Sequence, residues 1–152
     1  MSEGFRVEQI DHVEMFVPDR QEAADWYGRV LGFEILEDFR DWAEPTAGPL
    51  MVSSDGGVTK LALFVGDAPG KRVVAGFRRV AFRVAGEAFL EFLKRLPELA
   101  LRDAEGRPVS AGDVSDHCKA WSIYFSDPWG HRLEITTYDA VLVRLALKAS
   151  SA

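Results

Sequence analysis

Cysteine is nearly absent: Cys118 is the only one in 152 residues, so no disulfide can form within the chain and no Cys-x-x-Cys metal or redox motif exists. A reducing compartment is the expectation. Long apolar runs are missing too. No stretch reaches the roughly 18 consecutive apolar residues that a membrane span requires, and residues 1–6 hold no apolar core of a secretion signal. These absences lead to the expectation of a cytoplasmic protein with no membrane partner. Basic runs are likewise absent. The 18 Lys and Arg are scattered through a chain of formal net charge −6, which excludes the positive footprint of a nucleic-acid binder. What remains is a sequence 47% hydrophobic, enough to bury one sizeable core and suited in length to a single domain over 1–152.

Hydrophobic periodicity supplies the elements. Residues 7 to 17 alternate, with Val13, Met15 and Val17 on one side and Ile10, His12, Glu14 and Phe16 on the other, predicting a first strand. Asp19 followed by Glu22 reads as a helix N-cap, and Ala23, Trp26, Tyr27, Val30 and Leu31 recur at helical spacing before Gly32. Phe33 to Phe39, Leu50 to Ser53 and Val58 to Val65 are predicted strands, the last two separated by the turn residues Asp55-Gly56-Gly57. After a Gly/Pro-containing loop, Phe77 to Val84 alternates again and Glu87 to Leu96 has helical spacing. Two further strands flank Asp127-Pro128-Trp129-Gly130, and Ala140 to Lys148 predicts a terminal helix.

The second half repeats the first. His12-Val13-Glu14-Met15-Phe16-Val17 aligns with Arg79-Val80-Ala81-Phe82-Arg83-Val84, and Asp55 to Leu63 aligns with Asp127 to Ile135 in the same apolar phase. Strand parity puts Val13/Met15, Leu61/Leu63, Val80/Phe82 and Leu133/Ile135 in the core. It leaves His12/Glu14, Lys60/Ala62, Arg79/Arg83 and Arg132/Glu134/Thr136 on an opposite, charged face.

Three segments carry a family resemblance: Ile10-Asp11-His12-Val13, the helix ending Trp26-Tyr27 and Val30-Leu31-Gly32-Phe33, and Ser122-Ile123-Tyr124-Phe125-Ser126-Asp127-Pro128-Trp129-Gly130-His131-Arg132-Leu133-Glu134-Ile135. Across residues 8 to 138 the chain resembles the vicinal oxygen chelate superfamily, which includes glyoxalase I, extradiol dioxygenases and bleomycin-resistance proteins. The resemblance implies an α+β fold of paired βαβββ modules, about 7–66 and 76–138. These modules form a U-shaped mixed-sheet cavity with helices outside, followed by a short C-terminal helix over about 139–149. It also implies a small-molecule substrate or ligand and a homodimer.

Where family members bind a divalent metal, the resemblance places the ligand positions at His12, Ala62, Arg79 and Glu134. Histidine and carboxylate suit Fe(II) or Mn(II). Alanine has no donor, and arginine stays protonated with no lone pair to offer. Several readings of this face stay open. A metal is held by His12, Glu134 and Glu14, two residues from His12 on the same face; or a bidentate Arg79–Glu134 pair takes the place of the metal, leaving no cofactor; or these residues are solvated or structural. The segment Asp116-His117-Cys118 before Ser122 is similar to the C-terminal part of extradiol dioxygenases, which implies an acid–base role for His117 beside Glu134. Arg79, Lys60, Trp121 and Tyr124 are the candidate substrate-binding residues. The resulting expectation is a small-molecule-binding protein, either a dioxygenase-like or glyoxalase-like enzyme for a small oxygenated or aromatic substrate, or a non-enzymatic protein that sequesters its ligand.

Overall fold

The computed structural model describes residues 5–6, 8–44, 48–67 and 76–151. Val7, the expected start of the first strand, and residues 68–75 of the Gly/Pro-containing loop lie outside them. Strand β1 (His12–Val17) begins later than its periodicity suggests, and it alternates: Met15 and Val17 are buried while His12 and Glu14 are exposed. Helix α1 (Arg20–Leu31) starts where the cap residues indicate. The Asp19 carboxylate accepts a hydrogen bond from the Glu22 backbone N–H at 2.9 Å, a cap of the kind that contributes about 1 kcal/mol. Gly32, at φ 73°, ends the helix in the left-handed conformation that glycine adopts without a Cβ penalty. Ala23, Ala24, Tyr27 and Val30 form its buried face, against strands β3 (Leu50–Ser53) and β4 (Lys60–Val65).

The strand expected over Phe33 to Phe39 is corrected. Only β2 (Glu34–Ile35) is extended, and a 3-10 turn (Glu37–Phe39) and short helix α2 (Arg40–Ala43) follow. Local contacts win over apolar alternation here. Arg40 Nε donates to Glu37 Oε2 at 2.6 Å, and the Phe39 and Trp42 rings lie 4.7 Å apart, both at i,i+3 spacing that an extended chain cannot bring together.

The chain divides into two compact units, Met1–Lys71 and Arg72–Ala152. The first contains a mixed four-stranded sheet in the order β1-β4-β3-β2, with β1 parallel to β4 and the other pairs antiparallel. The second has the same connectivity: β5 (Val80–Arg83), β6 (Ser115–Asp116), β7 (Trp121–Ser126) and β8 (Arg132–Thr137) lie in the order β5-β8-β7-β6, with β5 parallel to β8. The repeat extends to turn chemistry. Asp55 Oδ1 accepts from the Thr59 N–H and Asp127 Oδ1 from the His131 N–H, each at i+4 and 2.8 Å, at positions that the sequence repeat aligns. His131 is held there, its Nδ1 2.6 Å from Asp127 Oδ2.

Helix α3 (Gly86–Leu99) buries Phe89, Phe92, Leu93, Leu96 and Leu99, and it contacts β8 and helix α4 (Ala140–Ser150). Its N-cap, Ala85, has no polar side chain. The acceptor comes instead from Asp139, whose Oδ2 takes the Gly86 N–H at 2.6 Å. Glycine is required at 86, since a Cβ there would fall 2.8 Å from the Asp139 Cβ. Between α3 and β6, bridges from Arg102 to Pro108 and to Ser126 set a small hairpin at the end of β7, a feature that periodicity does not reveal. Among the described residues no helix is long and apolar enough to cross a membrane.

Candidate ligand-binding site

Alternation along β5, β8 and β7 carries one polar face in rows. Ala81, Glu134 and Tyr124 are register partners, as are Arg83, Thr136 and Ser122; Arg132 pairs with Ser126, and Arg79 precedes Val80, the partner of Leu133. At the centre of this face the Arg79 guanidinium lies over the Tyr124 ring, 4.2 Å from its centroid, and 4.0 Å from Glu134. The approach to Glu134 is single, through one terminal nitrogen, so the bidentate pair expected from the sequence is not formed. The contact with the Tyr124 ring competes with the carboxylate for the guanidinium. Arg79 Nε is buried without a hydrogen-bond partner among the described residues. An N–H left so costs about 1–3 kcal/mol and is satisfied by any acceptor that reaches it.

His117 joins the cluster from the turn between β6 and β7. Its backbone N–H donates to Ala120, Cys118 turns the chain at φ 67°, and Nε2 comes within 2.7 Å of the Tyr124 hydroxyl. The structure thus brings His117, Tyr124, Arg79 and Glu134 together. Trp121 stands apart from them. It pairs with Asp116 and Thr137, which places it on the alternate face from Tyr124, where it lines a separate concavity with Asp116, Arg144 and Leu147. Its indole N–H is buried and has no hydrogen-bond partner among the described residues.

The first unit holds the other candidates. Lys60 and His12 are register partners, and Asp11, which sequence reasoning missed, ties both. Lys60 Nζ donates to Asp11 Oδ1 and to the Gly57 carbonyl, each at 2.8 Å, and His12 Nδ1 lies 2.8 Å from Asp11 Oδ2. An ionised carboxylate only accepts, so Nδ1 carries the hydrogen, and Nε2 lies 3.6 Å from Glu14. The Lys60 hydrogen bond, and after it that of His12, holds the Asp11 carboxyl below its ordinary value. Lys60, expected to bind substrate, is tied internally to Asp11 and Gly57 and is 8% exposed. The signal for Asp11 lay in the Ile10-Asp11-His12-Val13 segment, one residue from the histidine.

The metal positions implied by the resemblance are not furnished for a divalent ion. The repeat is broken in charge: Glu14 on β1 faces Ala62 on β4, whereas Ala81 on β5 faces Glu134 on β8. Each strand pair thus keeps one carboxylate, on opposite members of the pair. Glu134 already has a guanidinium at 4.0 Å, which a divalent cation would have to oppose. Among the described residues no three His, Cys, Asp or Glu side chains gather where they could hold a metal ion.

Comparison with known proteins places the fold in its class. The family model of the Glyoxalase/Bleomycin resistance protein/Dioxygenase superfamily matches residues 9–135, and the chain belongs to this superfamily. It is similar to the metallothiol transferase FosB of Staphylococcus epidermidis, 24% identical over 131 residues, 86% of this chain and 82% of that protein. Among solved structures it is similar to the oxidase ChaP-H2, with 25% identity and a TM-score of 0.60, covering 87% of this chain and 94% of that one. A glyoxalase/dioxygenase from Nostoc punctiforme, at 19% identity, shares the fold with a TM-score of 0.65 over 90% of this chain and 99% of that one.

Proposed function

We propose that this superfamily member binds a small oxygenated or aromatic molecule on the polar face of its second unit and does so without a resident metal. The observation that carries the reading is the Arg79 guanidinium, which stands over Tyr124 and beside Glu134 with an unpartnered N–H. A fixed cation supplies here the positive charge that a metal supplies elsewhere, and a ligand oxygen satisfies the orphan donor. Tyr124 is the aromatic wall. His117 is the acid–base group, since its Nε2 and the Tyr124 hydroxyl share one proton across 2.7 Å and can pass it to or from a ligand hydroxyl. Glu134 anchors Arg79 and offers an acceptor to a ligand donor. A homodimer in the cytoplasm belongs to the same proposal, read by mass in solution and by localisation.

One observation favours a second reading. Asp11 fixes the His12 ring so that Nε2 points toward Glu14, and a carboxylate behind a histidine is how proteins orient a metal-ligating imidazole. In this reading a metal sits at His12 and Glu14 of the first unit.

Anaerobic titration of chelator-treated protein with Fe(II), Mn(II), Ni(II) and Zn(II) separates the two. The expected result is no stoichiometric uptake and no difference between wild type and His12→Ala. One ion per chain, lost in His12→Ala, would replace the first reading with the second.

A further inference from the structure

Beyond the Arg79–Tyr124 pair, the polar face runs into a groove of about 640 Å³ between the Arg132 end of β8 and the Asp103–Arg107 hairpin. Arg79 and Tyr124 line both regions, so the groove continues the site already described. Its charge is unevenly satisfied. Every acid in its wall is committed within the protein: Asp103 accepts from the Arg107 and Glu105 N–H groups and from Arg107 Nε, Glu105 lies 3.4 Å from Arg107, and Asp113 accepts from the Ser110 N–H and hydroxyl. Arg107 is thereby neutralised as well. Arg78 and Arg132, both exposed in the groove, make no ion pair or hydrogen bond with another described residue, and Arg79 keeps its unpartnered Nε.

Register sharpens this imbalance. Arg79 and Arg132 each precede the first register pair of β5 and β8, Val80 with Leu133. The Arg79 guanidinium reaches along the face to Glu134, 4.0 Å away, whereas Arg132 has no ion pair among the described residues. An oxyanion in the groove would supply the counter-charge that Arg78 and Arg132 lack among the described residues. The neighbouring Ser126 lines the same groove and adds a hydroxyl donor.

We infer that this groove is an anion subsite: the ligand carries a carboxylate or phosphate held by Arg132 and Arg78, set apart from the oxygenated ring that lies against Arg79, Tyr124 and His117. The inference rests on the proposed ligand-binding reading and narrows it to a class, a phenolic or similarly oxygenated ring with an anionic group. Arg132 and Glu134 stand at i and i+2 on β8, so the two ends of the ligand lie about 7 Å apart. The anion must therefore sit across the ring from the hydroxyl, not next to it.

Calorimetric titration with phenol, 4-hydroxybenzoate and 2-hydroxybenzoate tests this on the full chain. A charge-assisted contact gives 4-hydroxybenzoate an affinity about tenfold above phenol. The ortho isomer has the same charge in the wrong place and gains little. A non-local Coulomb effect would disfavour both acids, because the chain carries a formal net charge of −6. Arg132→Gln removes the advantage of the para acid over phenol, and Arg132→Lys, which keeps the charge, restores part of it. Equal affinity for phenol and 4-hydroxybenzoate, or an equal gain from both isomers, would overturn the anion subsite and leave the ligand-binding reading standing. Failure of all three to bind would overturn that reading and this inference together.

Discussion

Arg79 is the residue on which the chemistry turns, and its contributions to folding and to binding should separate. Its approach to Glu134 is at the 4.0 Å limit and its side chain keeps 26% exposure, so the pair adds little to stability. Arg79→Met should therefore shift the urea midpoint by the equivalent of about 1 kcal/mol or less while ligand binding weakens by about tenfold or more. A large loss of stability would make Arg79 a structural residue instead. Asp11 offers a second check at this scale. Its carboxyl is held down by Lys60 and by His12, so the contribution of the cluster is fully present above the ordinary carboxylate value of 3.8. It fades only as pH falls through the lower folded value. A carboxyl carbon titration by NMR should place the Asp11 midpoint below that of a free aspartate, and a midpoint at or above it would mean that the Lys60–Asp11–His12 cluster is not formed in solution. Residue identity at the site was legible in part: parity put Arg79, Arg132 and Glu134 on one face. The reach of His117 to Tyr124 was not legible, because it depends on a turn through Cys118 at positive φ, which periodicity does not encode.

At the scale of elements, the α3–α4 junction is the most tightly specified feature. Gly86→Ala forces a Cβ to 2.8 Å from Asp139 and 3.0 Å from Leu142, and overpacking of this kind costs about 1–3 kcal/mol. Asp139→Ala leaves the first turn of α3 without its acceptor, at about 1 kcal/mol. Alanine at 139 keeps the Cβ that is struck, so the two changes share only the cap: the new Cβ at 86 falls 3.2 Å from Asp139 Oδ2 and disturbs it, and the double variant should lose less than the sum of the two, a coupling that thermal or urea melts of the three variants would measure. Full additivity would mean that the Asp139 carboxylate does not cap α3. Helices α1, α3 and α4 were readable from sequence since each buries an apolar stripe at helical spacing and α1 carries its own cap. The cap of α3 was not, since it comes from 53 residues away. Strand β2 was overread because Phe33, Ile35 and Phe39 alternate well enough for a strand while Glu37, Arg40 and Trp42 close the chain locally.

For the whole molecule, duplication explains both what the sequence revealed and what it concealed. The same strand order and the same aspartate turn occur in both units, so a repeat read from apolar phase is a repeat in topology. Charge was free to diverge between the copies, since an exposed polar face does not decide the fold. One unit therefore locks its lysine onto Asp11, while the other leaves Arg78 and Arg132 without partners among the described residues. The sequence marked this face as charged without indicating which charges remain available, because that depends on contacts such as Asp103 with Arg107, made within a hairpin of no clear periodicity. The most direct test of a metal-free ligand site is the affinity of phenol for wild type and Arg79→Met, measured before and after chelator treatment. The expected result is binding that the chelator does not alter and that weakens by about tenfold or more in Arg79→Met. Binding that appears only when Fe(II) or Mn(II) is supplied, or that survives the loss of Arg79, would contradict it.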